Sequence, residues 1–201
     1  MSINYREASM RLKEDQTIKN DLQTTDYPRI PDLDSFQRML LKANGTVTAM
    51  LEAYLSEQIR VVKLSENLTQ MKLELPYIKC DREERVIARK VLLQGKMTRR
   101  NFIYADSLIL INNLDERFSS QLLNSKVPIG KLWSEQKVET FKEIIDFGVE
   151  PANELSDYFC INSDDKVLFR TYSVSSQGKI TMIITEKFPE SYFWQSVPLA
   201  S

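Results

Sequence analysis

The sequence predicts an α+β protein built on a mostly antiparallel sheet with helices packed on one side. Two observations carry that prediction. Segments with period-two alternation follow one another across short turns. No regular strand–helix–strand rhythm joins them, as a parallel sheet would require.

The elements follow in order. Asp34 opens a short helix through Phe36, Met39, Leu40 and Leu41 that stops at Asn44-Gly45. Thr46 caps a second helix, with Val47, Met50, Leu51 and Leu55 on its apolar face. Strand character begins at Ile59–Leu64, and strands Arg85–Gln94 and Arg100–Ile109 fold about a turn near Gly95. A helix is expected over Asn113–Leu123 and a short helical turn over Pro128–Trp133. Val138–Val149 fits two periods: Phe141, Ile145, Phe147 and Val149 suit a strand, while Phe141, Ile144, Ile145 and Gly148 suit a helix. The strand is preferred, because Pro151–Tyr158 then supplies the connection to a final hairpin, Lys166–Val174 and Lys179–Phe188, closed by Ser175-Ser176-Gln177-Gly178. Residues 1–31 are polar, without apolar periodicity, and read as a surface arm; residues 32–195 form the single domain.

Composition narrows the chemistry. A chain of 201 residues with 42% hydrophobic and 27% charged residues is ordinary for a globular protein. Its 27 basic and 28 acidic residues leave no basic excess of the kind that nucleic acid or an anionic membrane surface calls for. With no histidine, serine–histidine and cysteine–histidine nucleophile systems are excluded, and acid–base work falls to Asp, Glu, Lys, Tyr or Cys. Neither a Gly-rich phosphate loop nor a metal-ligand spacing is present, and Cys80 and Cys160 read as reduced structural thiols. No stretch is long and apolar enough for a membrane span, and the acidic residues Glu7, Glu14 and Asp15 argue against a signal or transit peptide. The expectation is a soluble intracellular protein.

Two charges are out of place. Parity along the last strand puts Glu186 on one face with Ile180, Met182, Ile184 and Phe188, leaving Lys179, Thr181, Ile183, Thr185 and Lys187 for water. In the strand at 85–94, Ile87, Arg89, Val91 and Leu93 share a face. A one-residue slip would expose every one of these apolar groups. An isolated buried charge costs at least several kcal/mol unless paired. Two readings therefore stand side by side: Arg89 and Glu186 pair with each other, or they line a pocket in which a guanidinium grips a ligand carboxylate and a glutamate handles a proton or hydroxyl. The helix start at Gly45-Thr46-Val47-Thr48 and the turn at Pro128-Ile129-Gly130 each offer backbone N–H groups to an anion, or are simply ordinary element starts.

In their order, Gly45-Thr46-Val47-Thr48, Arg89-Lys90-Val91-Leu92-Leu93, Arg100 to Leu108, Pro128-Ile129-Gly130-Lys131-Leu132 and Thr185-Glu186-Lys187-Phe188-Pro189 resemble the chorismate lyase family over about residues 35–190. The branch most resembled occurs in archaea, mycobacteria, cyanobacteria and algal plastid genomes. The resemblance implies a lyase that converts chorismate to 4-hydroxybenzoate and pyruvate, feeding quinone or related aromatic biosynthesis, without metal or organic cofactor. It implies that Arg89 binds the ring carboxylate, that N–H groups of Val47 and Ile129 help hold it, and that Glu186 stands at the 4-hydroxyl end. Arg100 matches a second arginine for the enolpyruvyl carboxylate, with Arg99 its rival because the usual preceding glycine is missing; Asp106 stands where relatives often carry glutamate. A cytoplasm of bacterial type or a plastid stroma suits it. The same fold resembles the ligand-sensing domain of some bacterial transcription regulators, so binding of a small acid without reaction is the alternative; the short arm before residue 32 leaves no room for a helix-turn-helix.

Overall fold

The computed structural model describes residues 33–75, 78–115, 118, 120–121 and 139–193. The 1–31 arm and the Pro128–Trp133 turn lie outside them, as do residues 116, 117, 119, 122 and 123 of the helix expected at 113–123.

Helix α1 spans Ser35–Lys42 and starts as a capping box, with the Asp34 carboxylate accepting from Phe36 N–H and Gln37 answering to Asp34 N–H. Helix α2 spans Val47–Leu55. Thr46 occupies its N-cap position, but the hydroxyl makes no capping bond, contrary to the sequence expectation.

Six antiparallel strands follow: β1 Ile59–Leu75, β2 Ile78–Gly95, β3 Asn101–Leu110, β4 Phe141–Pro151, β5 Lys166–Ser176 and β6 Lys179–Pro189. Their spatial order is β1-β2-β3-β6-β5-β4. The β1 strand runs well past Leu64, because residues through Leu75 pair with an equally extended β2. Both expected central hairpin elements form, and the ambiguous 138–149 segment is a strand.

One sheet face carries two apolar clusters. Leu40, Leu41, Val47 and Leu51 of the helices cover Leu93, Ile103, Leu168 and Phe188 at one end. At the other end Ile87, Ile109, Val174, Met182 and Ile184 pack with Phe118. The stretch between the two clusters is where the charged residues lie.

The opposite face is drier than its alternation suggests. Thr181 and Ile183, assigned to water by parity, are buried. Ile183 packs with Val86, Leu108 and Leu110, and the Thr181 hydroxyl donates to Val174 O at 3.0 Å. Farther along that face Leu92, Tyr104 and Val167 pack under Ala152 and Phe159, the latter in the one-turn helix α3, Ser156–Phe159. Cys160 follows in the left-handed region (φ 54°) and is exposed, so it is not a core thiol. No helix among the described residues is long and apolar enough to cross a membrane.

Candidate active site

Strand alternation brings Arg89 and Glu186 to the same face, where both line one cavity together with Val47 and Thr46 at the start of α2. The cavity has about 60 Å³ available to the centres of water molecules, several times the roughly 10–15 Å³ that one water needs. Val61, Val91, Leu93 and Ile184 give it apolar walls.

Arg89 and Glu186 do not pair with each other. Register explains why. Arg89 stands opposite Glu66 on β1 and Ser107 on β3, whereas Glu186 stands opposite Ala105 on β3 and Arg170 on β5. With β3 between them, their strands lie two spacings apart, roughly 10 Å.

Arg89 is 2% exposed. Its Nε lies 3.5 Å from Glu66 Oε2, an ion pair too long or misaligned for a hydrogen bond, and Nε and Nη1 have no hydrogen-bond acceptor among the described residues. Glu66 itself accepts from Lys63 Nζ at 2.7 Å. A bulge between Lys63 and Ser65 switches parity in β1, which places Lys63 and Glu66 on one face. Burial pulls the Arg89 guanidinium below its ordinary range and Glu66 opposes that pull, but a guanidinium stays charged throughout the accessible pH range. The result is a buried cation in the lining of an apolar-walled cavity, with two donors that no described acceptor matches.

Glu186 is the opposite case, a buried carboxylate that is well satisfied. Arg170 Nε donates to Oε2 at 2.7 Å, and the Tyr172 hydroxyl donates to Oε1 at 3.0 Å. Arg170 in turn donates from Nη1 to Ala43 O at 3.0 Å, tying β5 to the loop between the helices. Because Arg170 and Tyr172 are two residues apart, they project from the same face and reach the same carboxylate. Burial, then the Glu186 charge and the hydrogen bond to it, push the Tyr172 phenol well above its usual range, with Arg170 opposing. It is therefore a donor at neutral pH.

That shift has a signed consequence. A phenol that holds its proton more tightly in the folded protein contributes stability that is fully present below its unfolded value, about 10, and lost as pH rises above it. Urea unfolding through this alkaline range is expected to show a steeper fall in stability for the parent than for Tyr172→Phe. Equal slopes would remove Tyr172 from the account.

Lys142 of β4 also lines the cavity. Its Nζ donates to Gly45 O at 3.1 Å and lies 4.9 Å from the centroid of the Tyr172 ring. Burial draws its pKa down, the Glu186 charge raises it and Arg170 lowers it further.

The other anticipated positions divide. Ile129 lies outside the described residues. Arg100 is exposed, does not line the cavity, and stacks its guanidinium 3.5 Å from the Tyr192 ring centroid. The cause is distance along β3: cavity residues Ala105 and Ser107 come five and seven positions later, at least about 16 Å away at ~3.3 Å per residue. Arg99 is exposed as well, in the left-handed region (φ 61°) of the turn that Glu57 organises by accepting from Met97 and Thr98 N–H.

Sequence reasoning passed over Arg170, Tyr172 and Lys142. The first two carried a readable signal, since Leu168, Arg170, Tyr172 and Val174 share a face by the alternation that singled out Glu186. Lys142 carried none. A bulge between Ile144 and Asp146 reverses parity within β4, so Lys142 and Ile144 join the helix-covered side along with Phe147, while Phe141, expected on the apolar face, is 66% exposed.

A family model described as Chorismate pyruvate-lyase Rv2949c-like matches residues 41–195. Chorismate pyruvate-lyase of Mycobacterium leprae is 28% identical over 172 residues, covering 85% of this chain and 82% of that protein. The protein of that name from Mycobacterium tuberculosis is 28% identical over 163 residues, covering 78% of this chain and 80% of its own. Among solved structures, the effector domain of PhnF from Mycobacterium smegmatis superposes with a TM-score of 0.56 at 8% identity, covering 76% of this chain and 93% of that one. That last likeness is one of fold.

Proposed function

Since the chain belongs to the Rv2949c-like chorismate pyruvate-lyase family, we propose that its cavity binds chorismate and releases 4-hydroxybenzoate and pyruvate. The observation that carries this reading is Arg89: a buried guanidinium, facing an apolar-walled cavity, with Nε and Nη1 unmatched by any described acceptor. A planar carboxylate reaching this guanidinium would supply an acceptor for donors that otherwise have none.

The remaining geometry supports the same ligand. Arg89 and Glu186 stand two strands apart, a gap suited to a six-membered ring with a polar group at each end. N–H groups in the first turn of α2, at Val47 and Thr48, add positive potential to the cavity they line. At the other end Glu186, as the carboxylate of an ion pair, is an acceptor only, so it selects a ligand hydroxyl that donates.

The reaction breaks the C3–O bond to the enolpyruvyl group and removes the C4 proton, which leaves the ring aromatic. The released enolpyruvate takes a proton on its methylene carbon and becomes pyruvate. Glu186, already accepting from Arg170 and Tyr172, works by fixing the C4 hydroxyl and so the C4–H bond. Aromatisation supplies the driving force, and holding one reactive conformer in the cavity is the protein's share.

Incubating the protein with chorismate and following pyruvate through coupled lactate dehydrogenase tests the reading. Pyruvate release that depends on the protein is expected. The likeness to an effector domain favours a second reading, in which the cavity binds a small aromatic acid without reacting it. Binding of 4-hydroxybenzoate with chorismate left intact would decide for that second reading.

A further inference from the structure

A buried cation needs a counter-charge while its ligand is absent, and Arg89 has one that it does not fully use. Glu66 stands directly across from it on β1, so the two side chains share a face. Glu66 Oε2 comes within 3.5 Å of Arg89 Nε, yet both atoms are buried without a hydrogen-bond partner among the described residues. Elsewhere in the same sheet an arginine and a glutamate close this gap: Arg170 Nε reaches Glu186 Oε2 at 2.7 Å. The Arg89 pair stays open.

The cause lies at the other carboxylate oxygen. Lys63, an exposed residue, donates from Nζ to Glu66 Oε1 at 2.7 Å. Glu66 is thus shared between a surface ammonium and a buried guanidinium, and it does not itself line the cavity. Its negative charge nonetheless opposes the effect of burial on Arg89. A guanidinium with no counter-charge in an apolar wall would grip any aromatic acid, product included, with the full strength of its donors. With Glu66 beside it the grip is weaker, because a carboxylate on Arg89 meets a second negative charge close by.

We propose that Glu66 is a positioning residue and a built-in competitor: it steadies Arg89 in the empty cavity and loosens the hold of Arg89 on a bound carboxylate, so that the ring acid can leave. This rests on Arg89 as the carboxylate site of the lyase reading, which it deepens from capture to release.

The test compares the parent with Glu66→Gln, Lys63→Met and the double variant, through the calorimetric Kd of 4-hydroxybenzoate and through urea unfolding. Glutamine can still accept from Lys63, so Glu66→Gln removes the charge and little else. It is expected to bind 4-hydroxybenzoate about tenfold more tightly, the scale of one charged hydrogen bond, and yet to unfold at a lower urea concentration. Loss of a merely structural residue would weaken both. Lys63→Met leaves the Glu66 carboxylate to Arg89 alone and is expected to weaken binding about threefold. With Glu66→Gln already in place Lys63→Met should change little, whereas a general field effect of the lysine would persist. Unchanged or weaker binding by Glu66→Gln, or an equal effect of Lys63→Met in the two backgrounds, would overturn the assignment. Where the parent turns chorismate over, inhibition by added 4-hydroxybenzoate is expected to strengthen in Glu66→Gln by the same factor as its Kd. A parent that binds 4-hydroxybenzoate but leaves chorismate intact would overturn the lyase reading alone, and the comparison at Glu66 would still decide. A parent that binds neither ligand would overturn both.

Discussion

Arg89→Met is expected to abolish pyruvate release, by at least about a hundredfold in kcat/KM, and at the same time to make the protein harder to unfold. The two effects have one cause. A guanidinium that is 2% exposed, with two nitrogens lacking acceptors, carries a desolvation cost that its 3.5 Å approach to Glu66 does not offset. Methionine fills much of the volume, abuts Val91 and Leu93, and leaves Glu66 its bond to Lys63. A gain of about 1–2 kcal/mol in urea unfolding is anticipated, a few degrees in Tm for a chain of this size. Gained stability with lost function is the signature of a group kept for a ligand. A variant that unfolds more readily than its parent would show instead that Arg89 serves the fold.

Glu186→Leu should lose activity as completely but move stability the other way. Here the charge is matched: Arg170, 1% exposed, donates to it at 2.7 Å, and the buried Tyr172 hydroxyl donates at 3.0 Å. Leucine would leave Arg170 with Ala43 O as its remaining acceptor among the described residues, and an uncompensated buried charge of this kind costs about 3–5 kcal/mol. The cost belongs to the stranded partner, so Arg170→Met combined with Glu186→Leu is expected to recover most of it while activity stays absent. A double-mutant cycle in urea reads the coupling directly. Additive losses would mean that the two side chains are held independently and that Glu186 owes its position to something other than Arg170.

The opposite signs at Arg89 and Glu186 were hidden in the sequence, although the exceptional character of both residues was not. Alternation along a strand is a local property: a charge flanked by aliphatic or aromatic residues at positions two before and two after faces the core wherever the strand ends up. That local rule was enough for Ile87-x-Arg89-x-Val91 and for Ile184-x-Glu186-x-Phe188, and applied to Leu168-x-Arg170-x-Tyr172 it reaches the third charge as well. It fails at Lys142 and Phe141, because one extra residue in β4 reverses the faces and no residue type announces the bulge. For Arg100 the order of motifs along the chain was not enough, since what matters is how far along β3 the cavity lies.

Short-range periodicity was enough for the α+β class, for where each antiparallel strand falls though not for the length of the β1–β2 pair, and for the inward turn of Arg89 and Glu186. Tertiary structure alone decided which charges meet. Strand order places β5 beside β6, so Glu186 finds Arg170 at hydrogen-bonding distance, and inserts β3 between β2 and β6, so Arg89 is kept from Glu186. The separation between those two strands, set by backbone hydrogen bonding and not by either side chain, turns what reads as a possible ion pair into the two ends of a cavity.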